Sequence, residues 1–157
     1  MMQSALRNFM EEMASRNQIK IVVAEGVFTN TLTNKKALNL PGSVYGFCVR
    51  LNEQERDSIF SEAKSKKTTR LSNVQEWLPI SENIYPLYWG KDKMLGARIH
   101  QHLKNTKTTG LARLCAYTTL HGKEIACAAL TVTKYSELEA TIQNERPHLL
   151  LAVTRVL

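Results

Sequence analysis

The sequence predicts a domain of the α/β (α+β) class, in which a small, mainly antiparallel central β-sheet is flanked by helices. Short runs rich in β-branched and aromatic residues, each bounded by turn-forming residues, predict the strands. Apolar residues that recur every three or four positions predict the helices. The chain has 157 residues, of which 43% are hydrophobic, so it is long and apolar enough for one domain with its own core.

The N-terminal part of the chain predicts two helices and two strands. Apolar residues at helical spacing predict a helix over 4–15, and the β-branched run IKIVV at 19–23 predicts a strand. After a Pro-Gly turn, the run VYGFCVRL at 44–51 predicts a buried strand. Asn52 and Glu55 have the spacing of a capping box, which predicts that the next helix begins there.

The middle of the chain predicts a strand that leads into a helix. The run IYPLYWG at 84–90 predicts a strand at the edge of the sheet, because Pro86 has no backbone N–H to donate to a neighbouring strand. Gly90 is expected to form a tight turn. The helical period of the apolar residues then predicts a helix over 92–104.

The C-terminal part predicts a hairpin and a last helix. Two runs typical of strands, LARLCAYTT and EIACAALTVT, lie on either side of Gly122, which is expected in the turn between them. Ser136 and Glu139 have capping-box spacing, and Pro147 is expected to end the helix that they begin. The run HLLLAVTRVL at 148–157 is apolar enough for a last strand or a packed tail.

Charge points to a polyanionic partner. The formal net charge is +7, which favours binding to nucleic acid or to an anionic membrane surface. No run reaches the roughly 18 apolar residues of a membrane span. The first residues contain Glu11 and Glu12 and lack the apolar stretch of a secretory signal. We therefore expect a cytoplasmic protein with no membrane partner.

The cysteines are expected to be core residues. Cys48, Cys115 and Cys127 lie in apolar runs that predict strands, and none has a CxxC spacing. This pattern is typical of small buried side chains in a reducing compartment. The cysteines and the four histidines do not combine into a known zinc-ligand spacing.

Residues suited to phosphate chemistry cluster along the passage from the predicted strand into the predicted helix. Tyr88 ends the strand, and Lys91 is expected at the helix N-terminus, where free backbone N–H groups and the helix dipole favour an anion. Arg98 and His102 are four residues apart, so they share one face of the helix. A hydroxyl, a lysine and an arginine are therefore predicted to converge on a phosphate.

This passage resembles the second half of the GIY-YIG nuclease motif. The sequence YWGK at 88–91 matches the family's Y-I-G followed by lysine, and Arg98 follows Tyr88 by ten residues, as the family pattern requires. Upstream, SVY at 43–45 resembles the Gly-Ile-Tyr strand. Downstream, Leu138-Glu139 and Pro147 resemble the family's last motif, a helix with a metal-binding glutamate that is followed by a proline.

The resemblance covers roughly residues 41–147 and includes departures from the family pattern. The two tyrosines are 43 residues apart, which implies an insertion, and Ser43 stands where glycine is usual. The family's asparagine a few residues after the proline is missing, since His148-Leu149-Leu150 stands there. The resemblance implies one domain over 1–157, with an N-terminal extension at 1–40, a core at 41–150 and an insertion at 52–80.

The resemblance further implies a metal-dependent endonuclease that hydrolyses phosphodiester bonds in DNA, which is expected to be double-stranded. The cofactor is expected to be Mg²⁺ or Mn²⁺, with Glu139 as the metal ligand. Tyr45 is expected to be the general base and Tyr88 to support the attacking water or the phosphate. The implied catalytic residues are Tyr45, Tyr88, Lys91, Arg98, His102 and Glu139.

Glu139 has two interpretations that the sequence leaves open. A glutamate three residues after Ser136 is fully explained by a capping box, which stabilises a helix by about 1 kcal/mol. The family match instead makes Glu139 the metal ligand, and Glu137 is the alternative. DNA-backbone contacts are assigned to the basic residues Lys64, Lys66, Lys67, Arg70, Lys93 and Lys104.

Two other functions stay open. The missing asparagine and the capping-box interpretation of Glu139 favour a catalytically inactive DNA-binding domain on the same fold. Small size and positive charge also allow a ribonuclease or toxin, although the spacing from Tyr88 to Arg98 speaks against it. A double-strand cut usually needs two active sites, so a homodimer is one option.

Overall fold

A computed structural model gives the structure of the protein for residues 2–22, 42–66, 77–93 and 117–149, with only the backbone described at 63–66. Three helices and three strands lie in these ranges. In chain order they are α1 (Met2–Arg16), β1 (Ser43–Arg50), α2 (Glu53–Lys66), β2 (Ile84–Asp92), β3 (Ile125–Thr131) and α3 (Tyr135–Glu145).

The three strands form one antiparallel sheet in the order β2-β1-β3. This sheet and its flanking helices confirm the predicted α+β class. Pro86 lies on β2, an outer strand of the described sheet, at a register shift opposite Phe47 and Cys48. Because the missing N–H of proline costs least at an outer strand or an irregularity, the sequence-based placement of Pro86 is confirmed.

Two apolar layers enclose the sheet. Helices α1 and α3 pack on one face, which we call the helical face; its buried residues include Leu6, Met10, Val44, Trp89, Leu138 and Ile142. The opposite face, which we call the tyrosine face, packs against α2 and the segment around Trp77; its buried residues include Tyr45, Phe47, Val49, Ile59, Tyr85 and Leu87. Strand β1 is central and buried on both faces from Ser43 to Val49.

Two glycines of the sheet each lie under an aromatic ring of the neighbouring strand. Gly46 pairs with Trp89, and Gly90 pairs with Tyr45. A Cβ atom at Gly46 would lie 2.4 Å from Trp89 Cζ3, and one at Gly90 would lie 2.4 Å from the Tyr45 hydroxyl oxygen. Successive residues of a strand point to opposite faces, so the two rings cover opposite faces of the same strand pair.

Some sequence-based predictions need correction. Gly90 does not form a turn; it belongs to β2, which continues to Asp92. The predicted helix over 92–104 therefore does not include Asp92, and 94–104 lie outside the described residues. The predicted strand at 19–23 is wrong for its described part, because Ile21 makes only an isolated bridge to Val132.

The predicted hairpin at Gly122 is half right. Gly122 lies in a turn with φ of +78°, a left-handed conformation that favours glycine, and it leads into β3 as expected. Before the turn, Thr118–Leu120 form a short 3-10 helix in place of the end of a strand. Residues 111–116 of the first predicted strand lie outside the described part of the chain. So do residues 150–157 of the last predicted element, of which the described residue Leu149 is buried.

We expect Gly46→Ala to lower the free energy of unfolding by roughly 1–3 kcal/mol, because the added methyl group overlaps the Trp89 ring. Chemical denaturation measures the change. In a Trp89→Phe background the cost of Gly46→Ala should fall, because phenylalanine has no atom at the Cζ3 position. Equal costs in the two backgrounds would contradict the contact between Gly46 and Trp89.

Candidate active site at the outer edge of β2

The two motif tyrosines lie side by side on the tyrosine face. Tyr45 is in β1, Tyr88 is in β2, and their ring centroids are 6.0 Å apart with an interplanar angle of 45°. Tyr45 is fully buried, whereas Tyr88 is half-buried. The structure therefore brings together the two tyrosines that the sequence singled out, and solvent reaches only Tyr88 of the two.

Lys91 does not join the tyrosines. It lies within β2, one residue beyond Gly90, so the alternation of the strand places it on the helical face. Its ammonium group donates a hydrogen bond of 3.3 Å to the hydroxyl of Ser136, in the first turn of α3. The predicted convergence of Lys91 with Tyr88 at the start of a following helix is therefore wrong. Lys91 lies instead at the N-terminus of α3.

Glu139 lies on the side of α3 that runs along the outer edge of β2. Ser136 and Gln143 are one turn before and one turn after it on the same helix face. Ser136 contacts Lys91, and the Gln143 amide nitrogen approaches the Trp89 carbonyl oxygen at 3.5 Å. Glu139 is therefore positioned between two contacts that join α3 to the end of β2.

The capping-box interpretation of Glu139 is wrong. Helix α3 begins at Tyr135, and the N-cap residue is Lys134, which makes no side-chain capping hydrogen bond. Ser136 consequently lies inside the first turn, where it cannot act as the cap. The capping box therefore does not account for the glutamate at position 139.

The predicted capping box at the start of α2 is present. The Asn52 side-chain oxygen accepts from the Glu55 N–H at 2.8 Å, and the Glu55 carboxylate accepts from the Asn52 N–H at 3.0 Å. Lys123 forms an ion pair with Glu55. Hydrogen bonding from Lys123 and from the Asn52 amide lowers the pKa of Glu55 below its usual value of 4.5.

The segment after α3 closes the outer edge of β2, and sequence analysis did not assign it a role. The Trp89 backbone N–H donates to His148 Nδ1 at 3.3 Å, and the Trp89 indole donates to the Arg146 carbonyl at 2.8 Å. His148 is only 3% exposed, and its ring centroid is 5.1 Å from that of Tyr88 at an interplanar angle of 67°. A lone histidine directly after Pro147 was the only signal in the sequence.

Exposed lysines gather at one end of the sheet. Lys91 and Lys93 are at the end of β2, and Lys134 directly precedes α3. Lys20 lies at the same end, because its backbone carbonyl accepts from the N–H of Thr133, the residue before Lys134. The exposed face of α2 has the opposite charge, since a shallow groove there is lined by polar and acidic residues that include Glu53, Asp57 and Glu62. A polyanion would meet attraction at the lysine end and repulsion along this part of α2.

The described cysteines are poor nucleophiles. Burial raises the pKa of Cys48 to about 12 and that of Cys127 to about 11, so both remain protonated at neutral pH. Both are free thiols. Raised pKa values disfavour nucleophilic thiol chemistry at these two positions. Cys48 is buried and Cys127 is half-buried, which fits their expected role as small core residues.

Several predicted site residues cannot be placed. Arg98, His102, Lys67, Arg70 and Lys104 lie outside the described residues. Positions 64 and 66 belong to the last turns of α2, where only the backbone is described. Within the described ranges, no three histidine, cysteine, aspartate or glutamate side chains come together as a metal-binding group.

Comparison of the chain with protein-family models, with curated proteins and with solved structures gives no match. The α+β class therefore rests on the sheet and helices themselves. Of the helices that the structure describes, none has both the length and the apolar character that crossing a membrane requires.

We expect Ser136→Ala to change the free energy of unfolding by less than ~0.5 kcal/mol, because Ser136 is exposed and does not cap α3. The matched variant Asn52→Ala removes a genuine cap and should cost about 1 kcal/mol. Urea denaturation of the two variants measures both values. A cost for Ser136→Ala equal to that of Asn52→Ala would restore the capping-box interpretation of Glu139.

Proposed function

We propose that the protein is a metal-dependent endonuclease that hydrolyses phosphodiester bonds in double-stranded DNA. The observation that carries this proposal is the joint placement of the tyrosine pair and Glu139 around the edge of β2. The tyrosines lie on adjacent strands with ring centroids 6.0 Å apart, and α3 holds Glu139 between its contacts to Lys91 and Trp89. The resemblance of these motif residues to the GIY-YIG pattern supports the same chemistry.

The tyrosines would act at the attacking water. Tyr88 is half-buried and reaches solvent, so its hydroxyl would orient the water or the phosphate. Tyr45 is fully buried behind it and would support the Tyr88 ring. Tyr88 thus keeps the role that the resemblance implied, whereas Tyr45 loses that of general base, because a general base must reach the proton that it removes.

The donor set at Glu139 suits Mg²⁺ or Mn²⁺. Mg²⁺ is commonly held by one or two carboxylates together with substrate phosphate and retained waters, so a dedicated cage of three protein ligands is not needed. Glu139 is half-buried on α3 and is not used as a helix cap. The bound metal would supply charge stabilisation at the phosphoryl and leaving oxygens.

Positive charge beside Glu139 would hold the DNA backbone. The Lys91 ammonium lies against the first turn of α3, and the exposed residues Lys93 and Lys134 flank it. Arg98, assigned from the sequence motif, would hold a non-bridging phosphate oxygen through its paired donors.

The cysteines bear on where the enzyme would act. The free thiols Cys48 and Cys127 fit a reducing compartment, so we propose that the enzyme acts in the cytoplasm.

We expect the wild-type protein to nick or linearise supercoiled plasmid in Mg²⁺ or Mn²⁺ and to lose this activity in EDTA. Glu139→Gln should reduce the rate by at least ~100-fold, since it removes the metal carboxylate, and Arg98→Ala should do the same. The control Glu137→Gln alters the exposed carboxylate two residues away and should stay within about twofold. Gel electrophoresis of time courses measures the rates, and folding is checked by circular dichroism.

The variants distinguish the site assignment from the activity itself. Full activity in Glu139→Gln would remove Glu139 from the site, and loss in Glu137→Gln alone would make Glu137 the metal ligand. Single-stranded RNA in the same substrate panel tests the alternative of a ribonuclease or toxin. A folded protein that cleaves none of these substrates would overturn the endonuclease proposal.

A catalytically inactive DNA-binding domain is the second candidate, and the complete burial of Tyr45 favours it. Both candidates require DNA-backbone contacts at the lysine end of the sheet. We expect Lys93→Ala and Lys134→Ala each to weaken duplex binding and to reduce the slope of log K against log [salt] by about 0.9 for each lost phosphate contact. Fluorescence anisotropy over a salt series measures the slope. The control Arg7→Ala removes an exposed cation on α1 and should leave the slope unchanged.

A further inference from the structure

We propose that His148 is a positioning residue that fixes the orientation of Tyr88, an inference whose catalytic meaning rests on the proposed function. Two contacts define its place. Its Nδ1 accepts the backbone N–H of Trp89 at 3.3 Å, and its ring stands edge-on to Tyr88 with centroids 5.1 Å apart. The same side chain therefore contacts the backbone of β2 and the solvent-accessible tyrosine that precedes Trp89.

The hydrogen bond to Trp89 fixes the position of the imidazole ring. Strand β2 is an outer strand of the described sheet, so the Trp89 N–H and C=O on its outward side have no strand partner. His148 accepts from this N–H, and Gln143 approaches the carbonyl. Because Nδ1 accepts this hydrogen bond, Nε2 is the ring nitrogen that can donate one.

Neighbouring residues restrict the backbone at His148. The Arg146 carbonyl accepts from the Trp89 indole at 2.8 Å, so the chain is attached to β2 two residues before the histidine. Leu149, one residue after it, is fully buried in the layer that contains Tyr45. His148 therefore presents its ring to Tyr88 from a segment that contacts the rest of the fold on both sides of the histidine.

The ring contact gives His148 its effect on Tyr88. An interplanar angle of 67° is an edge-to-face arrangement, which aromatic rings prefer. Tyr88 also contacts Tyr45, so its ring lies between two aromatic partners. Removing the His148 ring would take away one of these two ring contacts, and the half-exposed phenol of Tyr88 would gain rotational freedom.

Two substitutions separate the hydrogen bond from the ring contact. In His148→Asn, the side-chain oxygen can occupy the place of Nδ1 and accept from Trp89, but the ring is lost. In His148→Phe, the ring is kept, but the buried Trp89 N–H loses its acceptor. The first variant should therefore keep the hydrogen bond and lose the position of Tyr88, at the stability cost of the smaller buried side chain. The second should keep the position of Tyr88 and lose the hydrogen bond.

The position of Tyr88 can be measured without enzymatic activity. The chain contains five tyrosines, and 3-fluorotyrosine labelling gives each a ¹⁹F NMR signal; the signal absent in Tyr88→Phe belongs to Tyr88. We expect His148→Asn to shift or broaden this signal at temperatures where the variant is folded. We expect His148→Phe to lower the unfolding midpoint and to keep the signal near its wild-type position at temperatures where the variant is folded.

Cleavage kinetics test the consequence for the site. We expect His148→Asn to lower kcat by about tenfold with KM for DNA within about twofold, since positioning acts on the reacting groups and not on DNA binding. An unchanged Tyr88 signal in His148→Asn, or cleavage at or above the wild-type rate, would overturn the proposal. If the wild-type protein cleaves no substrate, the proposed function fails, and the NMR measurement alone decides whether His148 positions Tyr88.

Discussion

The reciprocal packing of two aromatic rings on two glycines fixes the pairing of β1 and β2. Tyr45 covers Gly90 on one face of the sheet, and Trp89 covers Gly46 on the other. A slip of one residue would place each ring opposite a side chain and turn it towards the wrong layer, so these pairs select one register. That register brings Tyr88 beside Tyr45 and turns Lys91 towards α3. The candidate site therefore depends on a packing constraint that involves no catalytic group.

In the described part of the chain, residues of both faces of the sheet meet at the outer edge of β2. The tyrosine pair lies on one face, whereas Lys91 and Glu139 lie with α3 on the other. Trp89 connects them, because its indole and its backbone both hydrogen-bond to the segment that follows α3. His148 in that segment reaches round the edge to Tyr88. A phosphate held at this edge could meet groups from both faces.

Sequence patterns predicted most of the architecture because they report local properties. Apolar periodicity located α1, and capping-box spacings located the starts of α2 and α3, each to within a few residues; the box of Asn52 and Glu55 is genuine. The same spacing at Ser136 was misleading, because α3 starts one residue earlier, at Tyr135. The local sequence predicts a turn at Gly90, but glycine is needed there because the Tyr45 ring packs against it. Tyr45 lies 45 residues away in the chain, so a local pattern does not reveal this contact. That error moved Lys91 from a strand to a helix and so to the wrong face.

Motif residues that the fold requires cannot by themselves distinguish an enzyme from an inactive relative. Tyr45, Trp89 and Gly90 would be retained in either case, since the strand pairing depends on them. The position of Glu139 is more informative. Glu139 does not cap α3, and its helix face is joined to β2 through Ser136 and Gln143. A carboxylate one turn after the hydroxyl that accepts from Lys91 is a position that metal-assisted phosphate chemistry would use, and it is the reason that we propose an endonuclease ahead of simple DNA binding.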